Sequence, residues 1–115
     1  MNKEIKKEWV EALRSGDYTQ GRGRLRSANY EDSDGSYSYC CLGVLADILP
    51  QTKDTDYWKD KGSLLYDEKY FRSQLPRDIA DEIGFTQGTQ PELINLNDGD
   101  QMNFNQIADY IEGNL

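Results

Sequence analysis

Ile5, Trp9 and Leu13 recur at i, i+4 and i+8 with lysines and glutamates between them, and Ser15-Gly16 follows at once. One apolar stripe on a charged cylinder predicts an amphipathic helix over residues 3–15, stopped by the Ser-Gly pair. The period then changes. Residues 23–30 and 36–41 flank Glu31-Asp32-Ser33-Asp34-Gly35, and the second run alternates Ser36-Tyr37-Ser38-Tyr39. This pattern suits a β-hairpin with a loop of about five residues. Cys41-Leu42, Leu45-Ala46 and Leu49 return to helical spacing until Pro50. A short helix should therefore follow the second strand directly.

Residues 51–63 are polar and read as a loop, with Tyr57 and Trp58 as its inward-packing exceptions. Leu64-Leu65-Tyr66 and Tyr70-Phe71 fit either a second short strand pair or turns over the core. Pro76 suits the first position of a helix whose buried face is Ile79, Ala80 and Ile83, and Gly84-Phe85 has the form of a Schellman stop. Asn103 is an N-cap with Gln106 three residues on, and Phe104, Ile107, Ala108 and Ile111 form the inward stripe of a last helix before Gly113. The expected fold is α+β, a small single domain spanning residues 1–115, with about four helices around a β-hairpin.

Composition narrows the chemistry. Of the 115 residues 37% are hydrophobic, enough for one core, and no run approaches the roughly 18 consecutive apolar residues of a membrane span. The N-terminus has no signal-peptide core, so a cytoplasmic protein is expected. There is no histidine, which excludes a Ser-His-Asp triad, a Cys-His dyad and a His-ligated metal site built from this chain alone. The net charge of −8 is unevenly spread. All 13 lysines and arginines fall in residues 1–77, and residues 78–115 hold eight acids and no base. Within the first part, Arg14, Arg22, Arg24 and Arg26 face only Asp17 over residues 14–26, a local basic island. A long acidic face repels a phosphate backbone, so direct nucleic-acid binding is disfavoured, while one small anion could still sit on the island.

Four stretches carry a resemblance. They are Trp9-Val10-x-Ala12-Leu13-Arg14-Ser15-Gly16-x-Tyr18-x-Gln20-Gly21-x-Gly23-x-Leu25, Tyr39-Cys40-Cys41-Leu42-Gly43-Val44-Leu45, Leu75-Pro76 with Ile79-Ala80, and Leu96-Asn97-Asp98 with Phe104-x-x-Ile107-Ala108. Together they resemble a family of short, mostly uncharacterised accessory proteins from tailed-bacteriophage and prophage genomes. The resemblance implies a setting, the cytoplasm of a bacterial host, and a style of action. Small phage accessory proteins modify host processes or blunt host defence, many of them by binding.

Two segments invite chemical readings. A cysteine where a strand enters a helix N-terminus would have a lowered pKa, as in cysteine hydrolases, but such an enzyme also needs a base and this chain offers no histidine. Cys40 and Cys41 are therefore read as small buried hydrophobes, with Gly43 allowing close packing against another element, and no catalytic residue is assigned. The segment Gln20-Gly21-Arg22-Gly23-Arg24-Leu25-Arg26 lacks the Gly-Lys-Ser/Thr ending of a P-loop and the spacing of a dinucleotide fingerprint. Its arginines nevertheless suit forked contacts to phosphate oxygens. If residues 22, 24 and 26 lay on one strand they would share a face and require a negative partner. The candidate ligand-binding set is Arg22, Arg24, Arg26, Tyr18, Gln20 and Tyr39, the tyrosines being rings on which a base could stack.

Asn95-x-Asn97-Asp98-Gly99-Asp100 fails as a calcium loop, since its first and twelfth positions would be Ile94 and Asn105, and it reads as a turn before a capped helix. No metal and no cofactor is implied. The expected function is that of a non-catalytic phage accessory protein whose partner is a host protein or a small anionic, nucleotide-like ligand, with homo-oligomerisation left open. A cysteine-dependent hydrolase and a phage structural or assembly accessory are the alternatives.

Overall fold

The computed structural model describes residues 1–28, 37–53, 63–66 and 68–115. Helix α1 spans Lys3–Arg14. Its N-cap is Asn2, whose Oδ1 accepts from the backbone N–H groups of Glu4 at 2.9 Å and Ile5 at 3.0 Å. Trp9, Val10 and Leu13 are its buried face. Three strands follow, β1 (Thr19–Gln20), β2 (Arg26–Ala28) and β3 (Tyr37–Tyr39). They form a mixed sheet in the order β1-β3-β2. Strand β2 pairs antiparallel with β3, Arg26 opposite Tyr39 and Ala28 opposite Tyr37. These are the two arms of the expected hairpin, shorter than the pattern suggested, and its loop lies outside the described residues. Strand β1 is an addition: it pairs parallel with β3 on the other side, Thr19 opposite Ser38 and Gln20 opposite Tyr39. Two residues are too few to show an alternation, so no pattern could announce it.

Helix α2 spans Cys41–Ile48 and is buried nearly all round, from Cys41 to Ala46. It enters directly from β3 and packs against α1. The contact that seats it is between glycine and backbone: a Cβ at Gly43 would lie 1.7 Å from the Leu25 carbonyl oxygen. The same oxygen accepts from the Cys40 N–H at 3.3 Å. The close approach expected of Gly43 is thus made onto the chain just ahead of β2.

Leu64–Tyr66 (β4) and Lys69–Phe71 (β5) resolve the open alternative in favour of strands, an antiparallel pair with Leu65 opposite Tyr70. Tyr57 and Trp58 lie outside the described residues. Helix α3 is Arg77–Glu82. It closes as expected, with Gly84 at φ 93°, the Phe85 N–H on the Ala80 carbonyl at 2.8 Å and the Gly84 N–H on that of Asp81 at 3.1 Å. The chain start sits on this helix end, since the Asn2 N–H donates to the Ile83 carbonyl at 2.9 Å.

Helix α4 (Thr89–Ile94) is an element that the sequence reading does not contain, and a π-helical turn over Asn95–Gly99 occupies the stretch that reads as a turn before the last helix. Pro91 stands in the first turn of α4, where its missing N–H costs nothing. Gln90, buried in that helix, clamps Leu75 by accepting from its N–H at 2.6 Å and donating to its carbonyl at 3.3 Å. Helix α5 (Phe104–Asn114) has the expected capping box between Asn103 and Gln106. It buries Phe104, Ile107, Ala108 and Ile111 and lies along α1.

The fold is α+β, with five helices among the described residues in place of about four and two small sheets in place of one hairpin. One core cluster joins all the helices. Trp9 is its centre, fully enclosed, with its ring 5.9 Å from that of Phe85 and its Nε1–H donating to the Cys41 carbonyl at 2.9 Å. Trp9→Ala should lower unfolding free energy by about 3–5 kcal/mol in urea titration. Gly43→Ala should cost about 3 kcal/mol, the upper end for overpacking, because the clashing atom is backbone and cannot swing aside. A Gly43→Ala protein with unchanged urea midpoint would show that α2 is not held at this distance.

Candidate functional site

Tyr18, Gln20, Arg22, Arg26 and Tyr39 are linked around β1 and the bend that follows it, with Arg24 further along that bend, and Asn97 is the buried amide that Gln20 and Arg22 share. The π-helical turn, closed by the Asp100 N–H on the Asn95 carbonyl at 2.8 Å, holds Asn97 fully buried. Asn97 Nδ2 donates to the Gly21 carbonyl at 2.9 Å and to Asp98 Oδ1 at 2.8 Å. Its Oδ1 accepts from Gln20 Nε2 at 2.9 Å, and its backbone carbonyl accepts from Arg22 Nε at 3.1 Å. Gln20 Nε2 also donates to the Met102 carbonyl at 2.7 Å. One buried amide therefore ties β1 and the bend to the far end of the chain. Beneath the bend, a Cβ at Gly21 would lie 2.8 Å from that of Ser38, so the strand edge is also tightly packed.

The tyrosines serve the same platform. Tyr18 donates its hydroxyl to Asp47 Oδ2 at 2.6 Å and meets Tyr39 edge-on, ring centres 5.0 Å apart. Burial first, then Asp47, pushes the Tyr18 hydroxyl well above the usual phenol range. Tyr39 is raised for the same first reason, with Arg26 acting in the opposite sense. Arg26 is buried, its guanidinium carbon 4.1 Å from the centre of the Tyr37 ring. A cation over an aromatic face in a dry site is a structural contact of about 2 kcal/mol.

The three arginines do not share a strand face. Strand β2 begins only at Arg26, and Gly23, at φ 84°, turns the chain between Arg22 and Arg24. A backbone angle in the left-handed region breaks the alternation that would have aligned them. Arg26 goes inward, Arg24 is exposed, and Arg22 is exposed with its Nε on Asn97. The bend is fastened from both sides, the Leu25 N–H donating to the Arg72 carbonyl at 2.5 Å and Ser73 Oγ to that of Gly23 at 3.1 Å. Of the six candidates, Arg22 and Arg24 are exposed and Gln20 shares Asn97 with Arg22, whereas Tyr18, Arg26 and Tyr39 are engaged with Asp47, Tyr37 and one another.

The cysteines lie at the strand-to-helix junction, where the sequence places them, but inside the core. Cys40 is 5% exposed and Cys41 is fully buried, both as free thiols. Burial pushes the Cys40 thiol up to about 11, outweighing the lowering by the backbone N–H groups of Gly43 and Leu42 at the helix start. Cys41 is raised well above the usual thiol range, again by burial first, and its Sγ lies 3.8 Å from the Leu93 carbonyl. Asp98 is near enough to raise both, which makes it an opponent of a thiolate. Among the described residues no three His, Cys, Asp or Glu side chains are grouped to hold a metal ion, and no helix is long and apolar enough to cross a membrane.

Residues 1–77 match the family described as Domain of unknown function (DUF8296). The chain belongs to that family. The DUF8296 stretch contains all six candidate residues and both cysteines and stops at the first residue of α3, so the Asn97 turn that anchors the bend lies beyond it. No curated protein and no solved structure matches the chain.

Asn97 was visible in sequence only as part of a motif and a turn; nothing local announces that its amide is buried under a strand 76 residues away. Asn97→Ala should leave the Gly21 carbonyl and Gln20 amide without this partner and cost about 2–3 kcal/mol in chemical denaturation. The thiols set a pH dependence. Their folded pKa values lie above the unfolded one, so the unfolded chain ionises first and stability is lost as pH rises from about 8.5. Urea midpoints should fall between pH 8 and pH 10, and fall less in the Cys40→Ala/Cys41→Ala variant. A slope identical in both proteins would mean the thiols are not sealed.

Proposed function

We propose that this DUF8296 protein is a binding protein without catalytic chemistry of its own, an accessory of tailed phages or prophages that acts in the host cytoplasm by holding a small anionic, nucleotide-like ligand. The observation that carries the reading is the solvent-facing pair Arg22 and Arg24 on a bend fixed from below by Asn97 and from the side by Arg72 and Ser73. A fixed backbone carrying two guanidinium groups loses little order on binding and meets phosphate oxygens as forked donors. The sealed, neutral thiols support the non-catalytic half of the proposal, because the thiolate is the nucleophile.

Binding to a basic face of a host protein is the second reading, and it rests on a different surface. Seven of the eight acids after residue 77 are exposed, Asp98 being the half-buried exception. Among the described residues three of the exposed ones are ion-paired, Asp109 and Glu112 with Arg14 and Asp81 with Arg77. The partial neutralisation weakens this face as a docking surface relative to the arginine bend.

Calorimetric titration with cyclic and linear nucleotides at low and moderate salt tests the proposal. Arg24→Lys should weaken binding several-fold, since a point-charge ammonium cannot replace a forked contact, and added salt should weaken it further. No heat from any nucleotide, with capture of a host protein unaffected by Arg22→Ala and Arg24→Ala, would leave the arginines as surface groups and transfer the function to the acidic face.

A further inference from the structure

A second cluster of cations lies on α1, apart in sequence from the arginine bend. Lys3, Lys6 and Lys7 stand at i, i+3 and i+4 on α1, so they share one side of the helix within little more than one turn. They line a groove of about 450 Å³ whose floor reaches the buried Val10 and whose far wall is the end of α5. The volume falls within the range of small-molecule sites, about 300–1,000 Å³. The like charges at i, i+3 and i, i+4 repel one another along the helix.

The lining is graded. The first two turns of α1 contribute only cations to the groove, whereas its other half contains Glu11, Glu112 and Arg14. Arg14 is held there by both Asp109 Oδ1 and Glu112 Oε1 at 2.5 Å, which holds the Glu112 carboxyl below its usual range. That half therefore offers acceptors and no free strong cation, while the lysine half offers three ammonium groups, of which Lys6 is also near enough to draw down the Glu112 carboxyl. Lysine ammonium groups suit phosphate as point charges, and carboxylates suit amino donors.

We propose that this groove between α1 and α5 binds a phosphate-bearing small molecule with a hydrogen-donating body, of the nucleoside diphosphate class. The phosphates lie over Lys3, Lys6 and Lys7, and the donor-bearing body runs over Val10 toward Glu11 and Glu112. The site shares no residue with the arginine bend and does not rest on the function proposed for it.

Titration of the full-length protein with ADP at low salt, alongside inorganic pyrophosphate, adenosine and hexaglutamate, tests this. ADP should bind more tightly than pyrophosphate or adenosine, since each fills only one half. Lys3→Gln, Lys6→Gln and Lys7→Gln should each weaken ADP by about 2–5-fold, the range of exposed charge pairs, and the triple variant should abolish saturable binding. Lys69→Gln, on β5, should leave it unchanged. Glu11→Gln should tighten pyrophosphate, by removing a repelling charge, and weaken ADP. Thermal unfolding of each variant without ligand keeps lost binding separate from lost fold. Absence of saturable ADP binding, equal competition by hexaglutamate, loss of ADP binding in Arg24→Ala with retention in the lysine triple variant, or an unchanged affinity in that triple variant would each overturn the proposal.

Discussion

The Leu25 carbonyl is where helix α2 meets the chain that leads into β2. It receives the N–H of Cys40 and sits so close to Gly43 that no side chain could stand there. Helix α2 can then descend onto the chain at backbone distance, which brings its largely apolar surface between the sheet, α1 and α4. Everything buried around it follows from that distance, including the enclosure of Trp9, whose indole N–H finds its acceptor on Cys41 at the first turn of α2. The burial of both thiols is a by-product of the same geometry. A helix start that would otherwise favour a thiolate is pressed into hydrocarbon, and desolvation outweighs its dipole.

Around this apolar contact the polar groups are arranged as fasteners. Asn97 binds the first strand and bend to the last third of the chain, and Gln90 does the same for Leu75. Each amide satisfies both of its functions against backbone or another amide, which is the condition under which burying it is affordable. The outcome is a bend whose arginines are positioned from below rather than by their own contacts with one another. Exposed ion pairs add little to this; Arg14 with Asp109 and Glu112 bridges α1 and α5 at one side of the groove between them.

Much of the architecture was legible in the chain. The spacing of Ile5, Trp9 and Leu13, the Asn103–Gln106 capping box, the Gly84-Phe85 stop and the helix run into Pro50 are local signals, and local signals survive into the fold because capping and amphipathic burial act within a few residues. The alternating arginines were a local signal too, and they failed. One left-handed glycine between Arg22 and Arg24 cancelled the strand that the alternation presupposed. Gly43 was read correctly as a place of close approach, though not what it approaches.

What the sequence by itself determined is therefore most of the elements, though not β1 or α4, together with the α+β class, the lack of histidine chemistry and the split between a neutral first part and an acidic last third. Only the tertiary structure decided that Asn97 reaches Gly21, that Tyr18 spends its hydroxyl on Asp47, that Arg26 is buried on Tyr37 while Arg24 is exposed, and that three lysines of α1 border a groove closed by α5. The physical reason is separation along the chain. Capping, periodicity and charge are properties of neighbours, but the partner of a buried amide or the wall of a groove is supplied by residues tens of positions away, brought there by burial of apolar surface that has no direction of its own.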